Sequence, residues 1–117
     1  MNINWKNIKR IHFVGIKGVA MAALAVWVKE AGYNVTGSDM AEAFPTDEVL
    51  AQGGITALEF SPKNITNIRP DLVIYTGAHG GRDNPEVVEA TALGIPVLPH
   101  GQALGMVMAD KKQISVA

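Results

Sequence analysis

The 117-residue sequence contains no cysteine. Disulfides, zinc-thiolate sites, iron-sulfur clusters and cysteine nucleophiles are therefore excluded, and a reducing cytoplasm is the simplest expectation for its location. Charge of one sign is also lacking, since 10 Lys and Arg balance against 11 Asp and Glu for a formal net charge of -1. Neither nucleic acid nor a membrane surface is expected as a partner, and any phosphate group must be held locally. Long apolar runs are missing too. The longest, Val19 to Val28, spans about ten residues, roughly half of a membrane span, and Lys29 and Glu30 close it. Asn2, Asn4, Lys6 and Asn7 leave no apolar core for a signal peptide at the N-terminus. What is abundant is hydrophobic residues, at 48%, enough to build the core of one globular domain over residues 1–117.

Strand-like and helix-like runs alternate along this chain, which predicts an α/β, Rossmann-like three-layer domain with a mostly parallel five-stranded sheet. Ile11 to Gly15 (IHFVG) reads as a buried strand. Gly18 to Ala31 is Ala-rich with apolar recurrence at Met21, Leu24 and Val28, a helix closed by Gly32. Tyr33 to Gly37 is a second strand, followed directly by the acid Asp39. Thr46 is expected to cap a helix through Gln52, and Gly53-Gly54 to stop it. A short strand follows at Ile55 to Leu58. Pro62 and Asn64 through Pro70 read as a looser connection. Asp71 to Gly77 (DLVIYTG) is the strongest strand signal and is expected at the centre of the sheet. Asn84 as N-cap and Pro85 as first helical residue predict a helix to about Leu93, ended by Gly94. Ile95 to Leu98 is a strand and Gln102 to Ala109 a short helix. Lys111 to Ala117 starts as another strand and stops, as expected of an N-terminal domain excised from a longer protein.

The candidate binding feature is the turn Gly15-Ile16-Lys17-Gly18-Val19-Ala20-Met21 between the first strand and the first helix. Such a turn aims backbone N–H groups and a helix N-terminus at an anion, with a diphosphate as the natural guest. Gly15 and Gly18 allow a tight turn and a close backbone approach, and small Ala20 keeps the helix near the sheet. Lys17 adds a cation. In the G-x-G-x-x-G frame, however, Lys17 and Ala20 replace two of the three glycines, and no G-K-[ST] occurs anywhere. Asp39 stands at the end of the second strand, where an acid in such sheets meets ribose hydroxyls or caps a loop. His79, in the loop after the predicted central strand, is a candidate contact for a sugar, a base or a phosphate. His100 occupies a similar place after a later strand, and His12 reads as a structural residue inside the first strand. No nucleophile elbow, metal-spaced His pair or paired carboxylates are present, so neither catalytic nor metal-ligating residues are assigned.

His12 to Asp39 (HFVGIKGVAMAALAVWVKEAGYNVTGSD) resembles the opening of the Mur ligase family, especially its UDP-N-acetylmuramate:L-alanine and murein-peptide ligase branches. The order and spacing of Asp71 to Ala78, Asn84-Pro85-Glu86-Val87, Gly94 to Val97 and Gln113 to Ala117 are similar as well. The resemblance implies a three-domain cytoplasmic enzyme of peptidoglycan synthesis, whose N-terminal domain holds the UDP part of UDP-N-acetylmuramate. ATP and magnesium would bind the parent's central domain, where the muramyl carboxylate becomes an acyl phosphate that an amine attacks. It also implies a backbone cradle for the diphosphate at Gly15, Gly18, Val19, Ala20 and Met21, with Asp39 near the nucleoside and His79 near sugar or uracil. The present chain ends before the family's G-T-H-G-K-T segment, so no cofactor is expected on it and it is expected to be inactive alone. Two other readings of the turn stay open: an NAD(P)-binding Rossmann domain of a dehydrogenase, and a non-catalytic nucleotide-sensing module.

Overall fold

A computed structural model describes residues 5–106. After a 3-10 turn at Trp5–Asn7 come β1 (Arg10–Val14), α1 (Val19–Glu30), β2 (Asn34–Asp39), α2 (Thr46–Gln52) and β3 (Ala57–Glu59). They are followed by α3 (Pro62–Ile68), β4 (Leu72–Tyr75), a 3-10 turn at Gly81–Asp83, α4 (Pro85–Ala92) and β5 (Val97–Pro99). Residues 100–106 are helical. The predicted strand at Lys111 to Ala117 and the end of the last predicted helix lie outside the described residues.

The sheet has the order β3-β2-β1-β4-β5, and every pairing is parallel. The α/β class and the five strands agree with the sequence expectation. The central position belongs to β1 rather than to Asp71 to Gly77, because both halves of the chain build outward from the first strand. The run still becomes an interior strand, β4, paired with β1 and β5.

Side-chain alternation along β1 divides the core into its two layers. Ile11 and Phe13 face one side, where α1 lays down Met21, Ala22, Leu24, Ala25 and Val28 together with Leu50, Ile55 and Leu98. These five positions of α1 fall on one stripe at helical spacing, and Ala22 and Ala25 let the helix approach the sheet closely. Val14 faces the other side with Val73, Tyr75, Ile65 of α3 and Val87 and Ala90 of α4. Burying each large aliphatic or Phe side chain contributes about 1.5–3 kcal/mol.

Two further sequence expectations are corrected. The stretch read as a loose connection contains helix α3, in which Ser61 accepts the Lys63 N–H as N-cap and Pro62 takes the first turn. Its Pro and Asn residues are helix-start chemistry here, and Ile65 anchors the helix with no exposed surface. Thr46 does not cap α2; Pro45 occupies that position and the Thr46 hydroxyl donates instead to the Lys17 carbonyl at 2.5 Å. By contrast, Asn84 caps α4 as expected, accepting the Glu86 N–H at 2.9 Å.

Candidate functional site

In an open parallel sheet, ligands collect beyond the carboxyl ends of the strands where the strand order reverses. Here that point lies between β1 and β4, and the two loops leaving it are the glycine turn after β1 and Thr76 to Gly80 after β4. The turn is held from the next strand. The N–H groups of Gly15 and Ile16 both donate to the Ser38 carbonyl, at 2.8 and 3.0 Å. Gly15 has φ +86°, a left-handed conformation, and a Cβ there would run into the Thr76 side chain. The fold itself therefore requires this glycine.

Gly18 is different. It precedes α1 with φ -61° and ψ 145° and makes no side-chain cap. A Cβ at this position would meet nothing nearer than 3.7 Å, the Gly15 carbonyl oxygen. Neither backbone conformation nor internal space demands glycine here; what its bareness leaves open is the approach to the helix from outside. The first turn of α1 follows with Val19 81% exposed and Ala20 exposed. Among the described residues, the N–H groups of Val19, Ala20 and Met21 have no acceptor, as the geometry of a helix start dictates. Three amide hydrogens and the positive end of the α1 dipole thus converge beside an open glycine, an arrangement suited to an anion.

Asp39 is enclosed, with 2% of its surface exposed. One carboxylate oxygen accepts the Lys17 N–H at 2.8 Å and the other the Met40 N–H at 2.7 Å. Its first work is therefore to shape the turn. Lys17 enters the site through its backbone only. Its ammonium donates to the Glu42 carbonyl at 2.7 Å, pairs with Asp47 at 3.3 Å and lies over the Phe44 ring. Asp47 is held below the usual carboxylate range, chiefly by the Phe44 N–H, against a smaller opposing effect of burial and with help from Lys17.

His79 leans over the turn. It has φ +55°, and its ring stands 3.6 Å from an Asp39 oxygen, beyond hydrogen-bonding distance, with 30% of the side chain exposed. Phe60 tilts against the ring with centroids 5.4 Å apart, and the Asn84 amide holds the His79 carbonyl at 3.0 Å. His100 makes no contact with Asp39 or His79 and borders an apolar groove along α1 with Ala20, Ala23, Leu24, Trp27 and Leu104.

Sequence reasoning did not single out Glu86, which is fully buried beneath the site together with His12 and Ser38. Its own stretch of sequence marked it only by its place in Asn84-Pro85-Glu86, and the hint of a buried partner lay in His12. His12 Nε2 lies 2.6 Å from Glu86 Oε1 and His12 Nδ1 lies 2.8 Å from the Thr36 hydroxyl. Burial pushes the Glu86 carboxyl up, but hydrogen bonding and charge from His12, with the Ser61 N–H and the Ser38 hydroxyl, leave it below its ordinary value. No group of three His, Asp or Glu side chains suited to a metal comes together among the described residues. Nor is any helix among them long and apolar enough to cross a membrane.

The family model for the Mur ligase family, catalytic domain, matches residues 10–112. A UDP-N-acetylmuramate--L-alanine ligase of Alkaliphilus metalliredigens is 39% identical over 117 residues, covering 99% of this chain and 25% of that protein. One from Desulfitobacterium hafniense is 44% identical over 108 residues, covering 92% and 23%. Among solved structures, the UDP-N-acetylmuramate-alanine ligase of Thermotoga maritima superposes with a TM-score of 0.77 at 34% identity, covering 91% of this chain and 24% of that one. The UDP-N-acetylmuramate:L-alanyl-gamma-D-glutamyl-meso-diaminopimelate ligase of Neisseria meningitides gives a TM-score of 0.72 at 32% identity, covering 83% of this chain and 30% of that one. The chain spans about a quarter of the length of the curated relatives it matches. With its sequence matched almost throughout and its parallel sheet reproduced in those structures, the chain belongs to the Mur ligase family.

Proposed function

We propose that this chain holds the UDP part of UDP-N-acetylmuramate, as the N-terminal substrate domain of a longer ATP-dependent ligase that joins L-alanine to the muramyl carboxylate in peptidoglycan synthesis. The observation that carries this reading is Gly18, a glycine that the fold does not need, set in front of three acceptor-free amides of α1. A diphosphate placed there accepts from Val19, Ala20 and Met21, and the absence of a side chain at Gly18 lets it come close. Gly15 and Asp39 shape the turn beneath it, and Lys17 contributes its backbone. His79, braced by Phe60 and Asn84, is the neighbour for the sugar or uracil. The names of the alanine-ligase relatives supply the choice of nucleotide sugar and of L-alanine.

Chemistry is not assigned to the residues of this chain, which bind and orient. When bound, ATP would supply the phosphoryl group that activates the muramyl carboxylate and magnesium would offset its phosphate charge; we assign both to the parent's central domain, the chain's partner in catalysis. By anchoring the nucleotide end of the substrate, the domain presents the carboxylate end to that neighbour. A cytoplasmic location follows from where UDP-sugars and ATP are used together.

The test is a two-dimensional amide NMR titration of this chain with UDP-N-acetylmuramate and, separately, with NAD. Saturable shifts at Gly15 to Met21 with the UDP-sugar alone are expected. Shifts with NAD alone would replace the reading with that of a dehydrogenase domain, and no shift with either would remove the nucleotide site.

A further inference from the structure

Beneath the glycine turn, four hydrogen-bond donors converge on one carboxylate. Glu86 Oε1 receives His12 Nε2 at 2.6 Å and the Ser38 hydroxyl at 2.8 Å. Oε2 receives the Ser61 N–H at 2.9 Å and the Asn64 amide at 3.1 Å. The donors come from β1, β2 and the start of α3, so a single side chain of α4 ties three other elements together. Glu86 stands in the first turn of α4, where the helix dipole favours a negative charge. The carboxylate accepts from all four groups at once, whereas an amide in its place would have to turn an N–H toward one of the two pairs.

Ser38 links this cluster to the cradle. Its side chain donates to Glu86, while its carbonyl receives the Gly15 and Ile16 amides. We propose that Glu86 is a positioning residue for the glycine turn, fixing the end of β2 through the Ser38 hydroxyl and thereby setting where the first amides of α1 point. It touches no ligand itself. Asn84, two residues earlier, does the matching task across the site by holding the His79 carbonyl. The segment Asn84-Pro85-Glu86 thus braces both walls of the cradle from below. This role deepens the nucleotide reading and rests on it for its link to affinity, but its geometric part is separately measurable.

The experiment compares the wild-type chain with Glu86→Gln and Ser38→Ala, using Val97→Ala, a buried change on the same face of the sheet, as a control for lost stability. Three quantities are read: the Gly15 and Ile16 amide resonances without ligand, the imidazole nitrogen resonances of His12, and affinity for uridine diphosphate. In Glu86→Gln, an amide N–H must face either His12 and Ser38, which then have to accept, or the Ser61 N–H, which cannot. The Gly15 and Ile16 resonances are expected to move, the imidazole nitrogen resonances of His12 to shift, and affinity to fall about fivefold to tenfold. Ser38→Ala is expected to move the same two amides while the His12 imidazole resonances stay in place, and Val97→Ala to leave both amides and affinity in place. A folded Glu86→Gln with unmoved Gly15 and Ile16 amides and unchanged affinity would overturn the proposal. If Glu86→Gln fails to fold, Ser38→Ala decides, and unmoved amides there overturn it. If the wild-type chain ignores uridine diphosphate, the nucleotide reading fails, while the amide and imidazole signals still decide the positioning role.

Discussion

The hydroxyl of Thr46 donates to the backbone carbonyl of Lys17 at 2.5 Å, joining the start of α2 to the glycine turn across 29 positions of sequence. Together with the Lys17 ammonium on the Glu42 carbonyl, it fixes the loop 40–45 against the turn. Thr46 is buried, so its loss would strand the carbonyl of Lys17 rather than return it to water. Thr46→Val, which keeps the shape and removes the hydroxyl, is expected to destabilise the chain by about 1–2 kcal/mol. Urea unfolding measures the change, and an unaltered midpoint would show the bond to be dispensable.

The two glycines of the turn should separate cleanly. Gly15→Ala places a Cβ at φ +86° and into Thr76, and is expected to cost about 1–3 kcal/mol in stability. Gly18→Val fits the backbone, since φ there is -61°, and is expected to keep the melting temperature within a few degrees while abolishing most affinity for the UDP-sugar. Thermal unfolding alongside a binding titration checks both. Affinity retained in a folded Gly18→Val would remove the cradle assignment.

Asp71 accepts the N–H groups of Lys9 and Arg10, each at 2.9 Å. The Arg10 N–H, then the Lys9 N–H, hold its carboxyl below the ordinary value of 3.8, with burial opposing them. A carboxylate whose folded pKa is depressed contributes stability that is full above the unfolded pKa and lost as pH falls through the folded one. Asp71→Asn should therefore lower the melting temperature at neutral pH and flatten its decline on acidification below about pH 4. Melting curves across that range distinguish this from a uniform loss at every pH, which would point to packing alone.

Asn84 serves two partners, as N-cap of α4 and as holder of the His79 carbonyl. Asn84→Ala is expected to cost about 1–2 kcal/mol. Asn84→Asp, which keeps the cap acceptor but not the amide donor, should recover most of that stability while leaving His79 untethered. Chemical denaturation and the His79 amide resonance read the two effects apart.

The strand-turn-helix-strand opening was legible in sequence because its signals are local: β-branched residues, a glycine turn, an Ala-rich stripe, and a glycine stop at Gly32. Helix α3 was not, because Pro62 and the Asn residues around it suggest a break until Ser61 is seen to cap them. The glycine turn between β1 and α1 could be placed from its residues alone. The direction of the Lys17 ammonium could not, since its partners Glu42 and Asp47 become neighbours only when α2 folds back. Glu86 was least visible of all. First-turn acids are usually solvated, and nothing local reveals that His12, 74 positions earlier, faces it across the sheet. A polar residue inside an apolar parallel strand was the one available hint that a buried partner had to exist.

Because every strand of the sheet runs the same way, the domain has two rims with different duties. At the rim where the strands begin, Asp71 staples the entry of β1 to that of β4. At the opposite rim the chain leaves each strand through loops that carry the turn, Asp39 and His79. A change at the entry rim, such as one at Asp71, can therefore alter stability while leaving the glycine turn, Asp39 and His79 in place.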